Sequence, residues 1–158
     1  MSLERAKDYL KKYGLEKKIL VFDTSSATVE LAAKALNCKE AEIAKTMSFL
    51  VGETPIVIVV AGDKKIDNAK YKQEFHTKAK MIPPESVEEL TGHQIGGVCP
   101  FGVKENVQIY LDESLKEHKI IHPACGTYNS AIPIEVKKLE EILDYQKWVD
   151  VCKDKSSD

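Results

Sequence analysis

The sequence has no Cys-x-x-Cys pair, no apolar run near the roughly 18 residues that a membrane span requires, and no surplus of one charge. Each absence closes a class. The four cysteines, Cys38, Cys99, Cys125 and Cys152, are scattered, which excludes a zinc ribbon and a thioredoxin-like redox motif and reads as reduced cytosolic thiols. His122 and Cys125, with His93 and Cys99, match no standard zinc spacing, so no metal site is expected. With 23 Lys+Arg against 25 Asp+Glu and a pI near 6.1, the chain cannot coat nucleic acid by charge alone. The first residues, Met1-Ser2-Leu3-Glu4-Arg5, enter a charged helical pattern without the basic and apolar regions of a secretory leader. A cytoplasmic protein with no membrane partner is the expectation.

Several catalytic signatures are also missing. Gly97-x-x-x-x-Gly102 is followed by Val103-Lys104-Glu105, which puts the lysine one place late for a phosphate-binding P-loop and supplies no Ser or Thr after it. Gly-x-Gly-x-x-Gly is absent, which removes the dinucleotide-binding fingerprint. Gly-x-Ser-x-Gly and His-Glu-x-x-His are absent too.

What is present fits one domain over residues 1–152, followed by a frayed polar tail at 153–158. Leu3, Ala6, Leu10 and Tyr13 recur at helical intervals before Gly14, and Ile19-Leu20-Val21-Phe22 reads as a short buried strand. Ser25, Ser26 or Thr28 can cap a second helix whose Val29, Ala32, Ala33 and Leu36 share a face, ended by Asn37-Cys38. From Lys45 the period becomes two, with Met47, Phe49 and Val51 on one face and Thr46, Ser48 and Leu50 on the other. The turn Gly52–Pro55 leads into the unbroken apolar run Ile56–Val60, which completes a hairpin and suits a strand covered on both faces.

Gly62-Asp63-Lys64-Lys65 predicts a further turn, residues 68–76 a helix, and Pro83-Pro84 the start of a short helix with Val87 and Leu90 inward, closed by Gly92. Val107, Ile109 and Leu111 alternate as a strand, Asp112 can cap a one- or two-turn helix, and 120–121 and 131–134 read as short strands. Residues 135–152 are expected to form a terminal helical segment. Several connections are too short for right-handed crossovers, so the fold class is α/β with a mixed rather than purely parallel sheet.

Two features do not serve a core. Lys45 has the parity of Met47, Phe49 and Val51, so it should point to their apolar face, where an ammonium is costly without a partner. A lysine that snorkels to water from a fraying strand end is the alternative. The second is Gly92-His93-Gln94-Ile95-Gly96-Gly97-Val98-Cys99-Pro100-Phe101-Gly102, a constrained loop with its own apolar anchors. Such a loop can aim backbone N–H groups at a carbonyl oxygen or a phosphate, or be a tight structural turn. Cys99 or Cys125 with His93 or His122 as base would be a thiol nucleophile of the usual kind, although small buried thiols are commoner.

Taken together, Ile43-Ala44-Lys45-Thr46, then Gly62-Asp63-Lys64-Lys65-Ile66-Asp67, then Thr91-Gly92 through Phe101-Gly102 resemble the YbaK / prolyl-tRNA synthetase editing-domain family over roughly residues 15 to 145. Thr28–Ala33, Gly126 and Ile132-Pro133-Ile134 fit its order. The resemblance implies a curved mixed sheet or partial barrel surrounded by helices, no metal or cofactor, and hydrolysis of the ester joining a wrong amino acid to tRNA. Alanine or cysteine on tRNA for proline is the implied substrate, with a synthetase as a possible partner and no role for DNA. It makes Lys45 the catalytic lysine, Thr46 its neighbour in the substrate site, and Gly96, Gly97, Val98, Cys99, Pro100 and Gly102 the loop that lines the aminoacyl pocket. Gly126 becomes the opposite wall.

Cys99 stands where relatives often carry serine, and the segment Ala124-Cys125 departs from their pattern. No Glu, Asp or His stands out as a base, so hydrolysis assisted by the substrate's own groups is the expected route. A non-catalytic module for an aminoacyl-adenosine-like ligand and a thiol hydrolase are the competing readings. Residues 62–80 carry Lys64, Lys65, Lys70, Lys72, Lys78 and Lys80 against Asp63, Asp67 and Glu74. That local excess suits the 3′ acceptor end of a tRNA, and not a whole tRNA.

Overall fold

A computed structural model describes residues 2–155. The chain runs through α1 (Ser2–Lys11), β1 (Leu20–Val21), α2 (Val29–Leu36), β2 (Ile43–Val51), β3 (Thr54–Ala61), β4 (Lys64–Ile66), α3 (Asn68–Phe75) and α4 (Val87–Thr91). It continues through β5 (Gln108–Asp112), β6 (Ile120–Pro123), β7 (Ser130–Ala131), β8 (Ile134–Glu135), α5 (Val136–Ile142), β9 (Lys147–Val149) and β10 (Cys152–Asp154). The main sheet has the order β8-β6-β2-β3-β5-β9 and is mixed: β2 and β3 are an antiparallel hairpin, while β6 joins β2, and β5 joins β3, in parallel. It curls into a half-barrel with helices around it.

Alternation along the hairpin separates two cores. Val57 and Val59 point with Ala44 to one face, where Ile109, Leu111 and Leu139 join α1 residues Ala6 and Leu10. Phe49, Ile56, Ile58 and Val60 point to the other and pack on Tyr71 of α3, with ring centroids of Phe49 and Tyr71 5.1 Å apart. The uninterrupted run Ile56–Val60 is buried on both faces because both are covered. A third, smaller cluster seats Ala32 and Ala33 of α2 on Ile43. Thr28 caps that helix through Leu31 N at 3.2 Å, and left-handed Asn37 ends it.

Four expectations change. Leu20 and Val21 are 42% and 59% exposed; their strand is not buried but pairs with β7 in a two-stranded ribbon at the surface. The helical segment expected over 135–152 stops at Ile142. Val149 and Val151 carry a period of two, and β9 adds in parallel to β5 with Gln146 N bonded to Ile109 O at 2.7 Å. Lys64 and Lys65 belong to β4 and not to a turn, leaving Gly62-Asp63 as the connection. Lys153 and Asp154, placed in a frayed tail, are paired in β10 opposite Lys65 and Lys64. Residues 156–158 of that tail lie outside the described residues.

Asp112 joins these edges. It is 1% exposed, at the end of β5, and its two carboxylate oxygens accept Val151 N and Ser114 N, each at 2.9 Å. Two buried N–H groups depend on it. Asp112→Ala should therefore destabilise the domain by about 2–4 kcal/mol, read as a lower urea midpoint with unchanged slope.

Candidate active site

β2 has an incomplete outer edge. Its odd residues bond toward β3, as Ile43 O does with Gly62 N at 2.7 Å, and its even residues face outward. On that outer edge β6 pairs only as far as Ala44↔Pro123, where a proline ends the ladder. Pairing resumes with the 80–82 segment, through Ile82 N to Ser48 O at 3.2 Å and Leu50 N to Lys80 O at 2.8 Å. Between these stretches lies a cavity of about 440 Å³. The N–H and C=O of Thr46 are aimed into the gap, and the Thr46 hydroxyl is buried without a partner among the described residues.

The start of α2 (Ser26, Thr28, Val29) forms one wall, Met81, Ile82 and Val87 another, and Ile95, Gly96 and Val98 a third. His122, Ala124 and Ser130 close the floor. Lys45 also borders the cavity. Its half-buried ammonium donates to the carbonyl of Lys64, which the Gly62-Asp63 turn places above it. Burial first, then the nearby Lys155 charge, lowers its pKa from the usual lysine value. One polar partner in a poorly hydrated place leaves the ammonium with donors to spare.

The glycine loop divides in two. Its first half is clamped to the 126–128 segment: Gly126 N donates to Gly97 O at 2.9 Å and Gln94 N to Gly126 O at 3.3 Å. At Gly97 a Cβ would lie 2.3 Å from Thr127 N, and Gly126 has φ +97° with Ser2 O 2.4 Å from where a Cβ would be. Neither position accepts a side chain. Both glycines buttress the turn and do not line the cavity. Its second half faces the other way: Pro100 and Gly102 border a separate depression beside Arg5, whose Nε donates to Gly102 O at 2.9 Å. Of the residues expected to touch substrate, the structure thus brings Lys45, Thr46, Gly96 and Val98 to one cavity, and sets Gly97, Cys99, Pro100, Gly102 and Gly126 outside it.

The thiols are badly placed for nucleophilic chemistry. Cys99 is fully buried and pushed up to about 12 by burial; burial also raises Cys125 well above the usual thiol value. His93 Nε2 lies 3.5 Å from Cys99 Sγ but 2.7 Å from the Phe101 carbonyl, which can only accept. Nε2 therefore carries the hydrogen and has no lone pair for a thiol proton. Among the described residues no cluster of three or more His, Cys, Asp or Glu is arranged to hold a metal ion. The 26–28 turn and the Met81-Ile82 wall escape sequence reasoning as cavity walls, and His122 is readable there only as a base for a thiol or as a metal ligand.

These features can be set against known proteins. The family model for the aminoacyl-tRNA editing domain matches residues 23–142. The chain belongs to that family. It is 47% identical over 155 residues to the uncharacterised protein YwhH of Bacillus subtilis, covering 98% of this chain and 99% of that one. It is 29% identical over 121 residues, 75% of this chain and 74% of the other, to a candidate Cys-tRNA(Pro)/Cys-tRNA(Cys) deacylase, EbsC, of Enterococcus faecalis. A crystal structure of a candidate trans-editing enzyme for prolyl-tRNA synthetase superposes with a TM-score of 0.85 at 27% identity, over 96% of this chain and 97% of that one. The chain spans only 16–19% of the proline–tRNA ligases that it also matches. No helix among the described residues of this editing domain is long and apolar enough to cross a membrane.

Two outcomes are expected. Iodoacetamide should label Cys38 alone in the native domain, because Cys99, Cys125 and Cys152 are buried, and all four in urea, as read by mass spectrometry. His93, wholly buried, has its pKa lowered from 6.5 to about 4, chiefly by that burial. The unfolded chain therefore takes up a proton between those values that the native state refuses. The stabilisation is complete above pH 6.5 and is lost as pH falls toward 4, by an amount of order 3 kcal/mol at most. Urea midpoints at pH 7 and pH 4.5 should separate less in His93→Gln than in the natural protein.

Proposed function

We propose that this editing domain is a trans-acting deacylase that hydrolyses the ester between a small wrong amino acid and tRNA, alanine or cysteine on tRNA for proline being the substrates of choice. The observation that carries the reading is the convergence of the Lys45 ammonium, the outward-facing backbone groups of Thr46, and Gly96 and Val98 on one largely apolar cavity. The cavity holds more than an alanyl or cysteinyl group, which leaves room for the terminal nucleoside beside it.

An aminoacyl ester is labile, so orientation and charge stabilisation suffice without a protein nucleophile. Lys45 acts as a fixed cation on the ester or phosphate end, and the backbone N–H groups of Gly96 and Val98 donate to the developing oxyanion. The substrate's own amino and hydroxyl groups hold the water. The start of α2 presents its N–H groups and positive dipole end to the phosphates of the acceptor end. Lys80 is exposed next to Met81, and Lys72 and Lys78 are exposed around a separate depression at the start of α3, whereas Lys64 and Lys70 are engaged by Asp154 and Asp150. This distribution suits a tRNA 3′ end, with tRNA choice left to the acceptor stem or to a synthetase, in the cytoplasm where charged tRNA is made and used.

A panel of mischarged tRNAs, with released amino acid followed over time, tests the reading. Lys45→Ala should lower kcat/KM on the preferred substrate by about 100-fold or more, and Lys45→Arg should not restore it, since a guanidinium cannot occupy the single-carbonyl niche under Lys64. No release from any member of the panel by the natural protein would leave a binding module for an aminoacyl-adenosine-like ligand.

A further inference from the structure

An exposed aromatic ring stands at the mouth of the cavity. Tyr128 is 53% exposed; its Cβ lies 3.5 Å from where a Cβ on Gly96 would be, and the Ala27 Cβ lies 3.0 Å from the same point. Gly96 and Ala27 both border the cavity, so the ring starts from its rim. The turn that carries the ring is locked. The Tyr128 carbonyl accepts Ser26 N at 2.6 Å and Ser26 Oγ at 3.2 Å. Thr127 Oγ1 donates to Ser130 Oγ at 2.8 Å, and Asn129 Nδ2 donates to Phe22 O at 3.0 Å. The neighbouring side chains are thus tied into the protein, whereas the Tyr128 ring and hydroxyl have no partner among the described residues. A ring with two rotors on a fixed backbone offers a large contact area at little entropic cost. Met81 and Ile95, also exposed, continue the rim as an apolar ledge, and no carboxylate borders the cavity to repel an anionic strand.

Resting on the deacylase reading, we propose that Tyr128 is a stacking platform for the nucleobase that precedes the esterified nucleoside. The cavity takes the aminoacyl group and the terminal nucleoside, the strand leaves across the rim, and the first base outside meets the ring. Every base has a π-face, so this contact holds the strand without choosing among tRNAs. Tyr128 is a positioning residue: it touches no reacting atom, and its contact is the same before and during ester cleavage. It therefore contributes to binding and not to the chemical step.

The experiment compares Tyr128→Ala and Tyr128→Phe with the natural protein on two substrates, the mischarged tRNA found best in the panel and the same amino acid esterified to adenosine alone. On the tRNA, Tyr128→Ala should raise KM by about 10-fold with kcat changed less than about twofold, and Tyr128→Phe should keep KM within about twofold of the natural value. On the aminoacyl-adenosine, which lacks the preceding base, the three proteins should agree. An equal loss by Tyr128→Ala on both substrates, or a loss on neither, overturns the assignment. Tyr128→Trp in a Trp148→Phe background leaves a single indole in the chain. An uncharged acceptor-stem minihelix ending in C-C-A should quench its fluorescence saturably, and adenosine should not; no quench by the minihelix, or an equal quench by adenosine, overturns the proposal without any need for turnover. Deacylation of the tRNA by the natural protein is the control that separates this failure from failure of the deacylase reading.

Discussion

A strand edge that ends its pairing early and resumes it later is the constraint on which the rest of this structure depends. Backbone N–H and C=O groups are strong and nearly always paired when buried, so a gap between Ala44 and Ser48 in the outer edge of β2 must face water or a ligand. The gap is made by a local device at each end. Pro123 cannot donate, so β6 does not extend along β2, and the 80–82 segment pairs only from Ser48 onward. With the edge open, α2 and the 94–98 turn can cover it from outside without entering the ladder. The cavity is a consequence of sheet topology rather than of removed side chains.

Lys45 shows how that topology sets a charge. As an odd residue of β2 it must point to the face occupied by Met47 and Phe49, and burial there penalises the ammonium. The penalty is offset by one backbone carbonyl, that of Lys64, delivered by the turn after β3. At that turn, a Cβ on Gly62 would lie 2.1 Å from the Glu40 carbonyl oxygen, so a side chain there would push the segment ahead of β2 away. Thus Ile43–Thr46 and Gly62–Lys65, separate in sequence, are two halves of one small assembly. Parity makes the lysine's inward direction legible from sequence; its acceptor, 19 residues away, is not.

The same division governs what else could be read. Periods of two and 3.6 are local, and they located the hairpin, α2, α3 and β5 correctly. Where a segment's neighbour decides its state, local pattern failed: Leu20-Val21 looks like core but meets only the short β7, and residues 147–149 become a strand because the free edge of β5 is there to receive them. The glycine loop was recognisable from composition. Its division in space was not, since Cys99 is buried between Val98 and Pro100 and the two halves border two separate depressions. Cys99 sits at that crossing, which is why it looks like a site residue in sequence and behaves as core. His122, readable in sequence only as a base for a thiol or a metal ligand, is brought to the face of Lys45 by the parallel register with β2.

The walls of the cavity also limit how a deacylase built on it could choose its substrate. Val29, Ala44, Met47, Met81, Ile82, Ile95 and Val98 supply apolar surface, and a hydrophobic pocket separates substrates differing by one methylene by only about 1–3 kcal/mol. Met47 and Met81 can repack around different groups, which softens even that difference. A cavity of about 440 Å³ does not exclude small side chains by size either. A polar site is far more exacting, because leaving a buried hydroxyl unpaired costs on the order of 1–3 kcal/mol. In this cavity the outward-facing N–H and C=O of Thr46 are polar groups of that kind. Discrimination among small amino acids would then rest on which of them bonds the backbone groups of Thr46, and discrimination against correctly charged tRNAs on contacts made by the acceptor end outside the cavity.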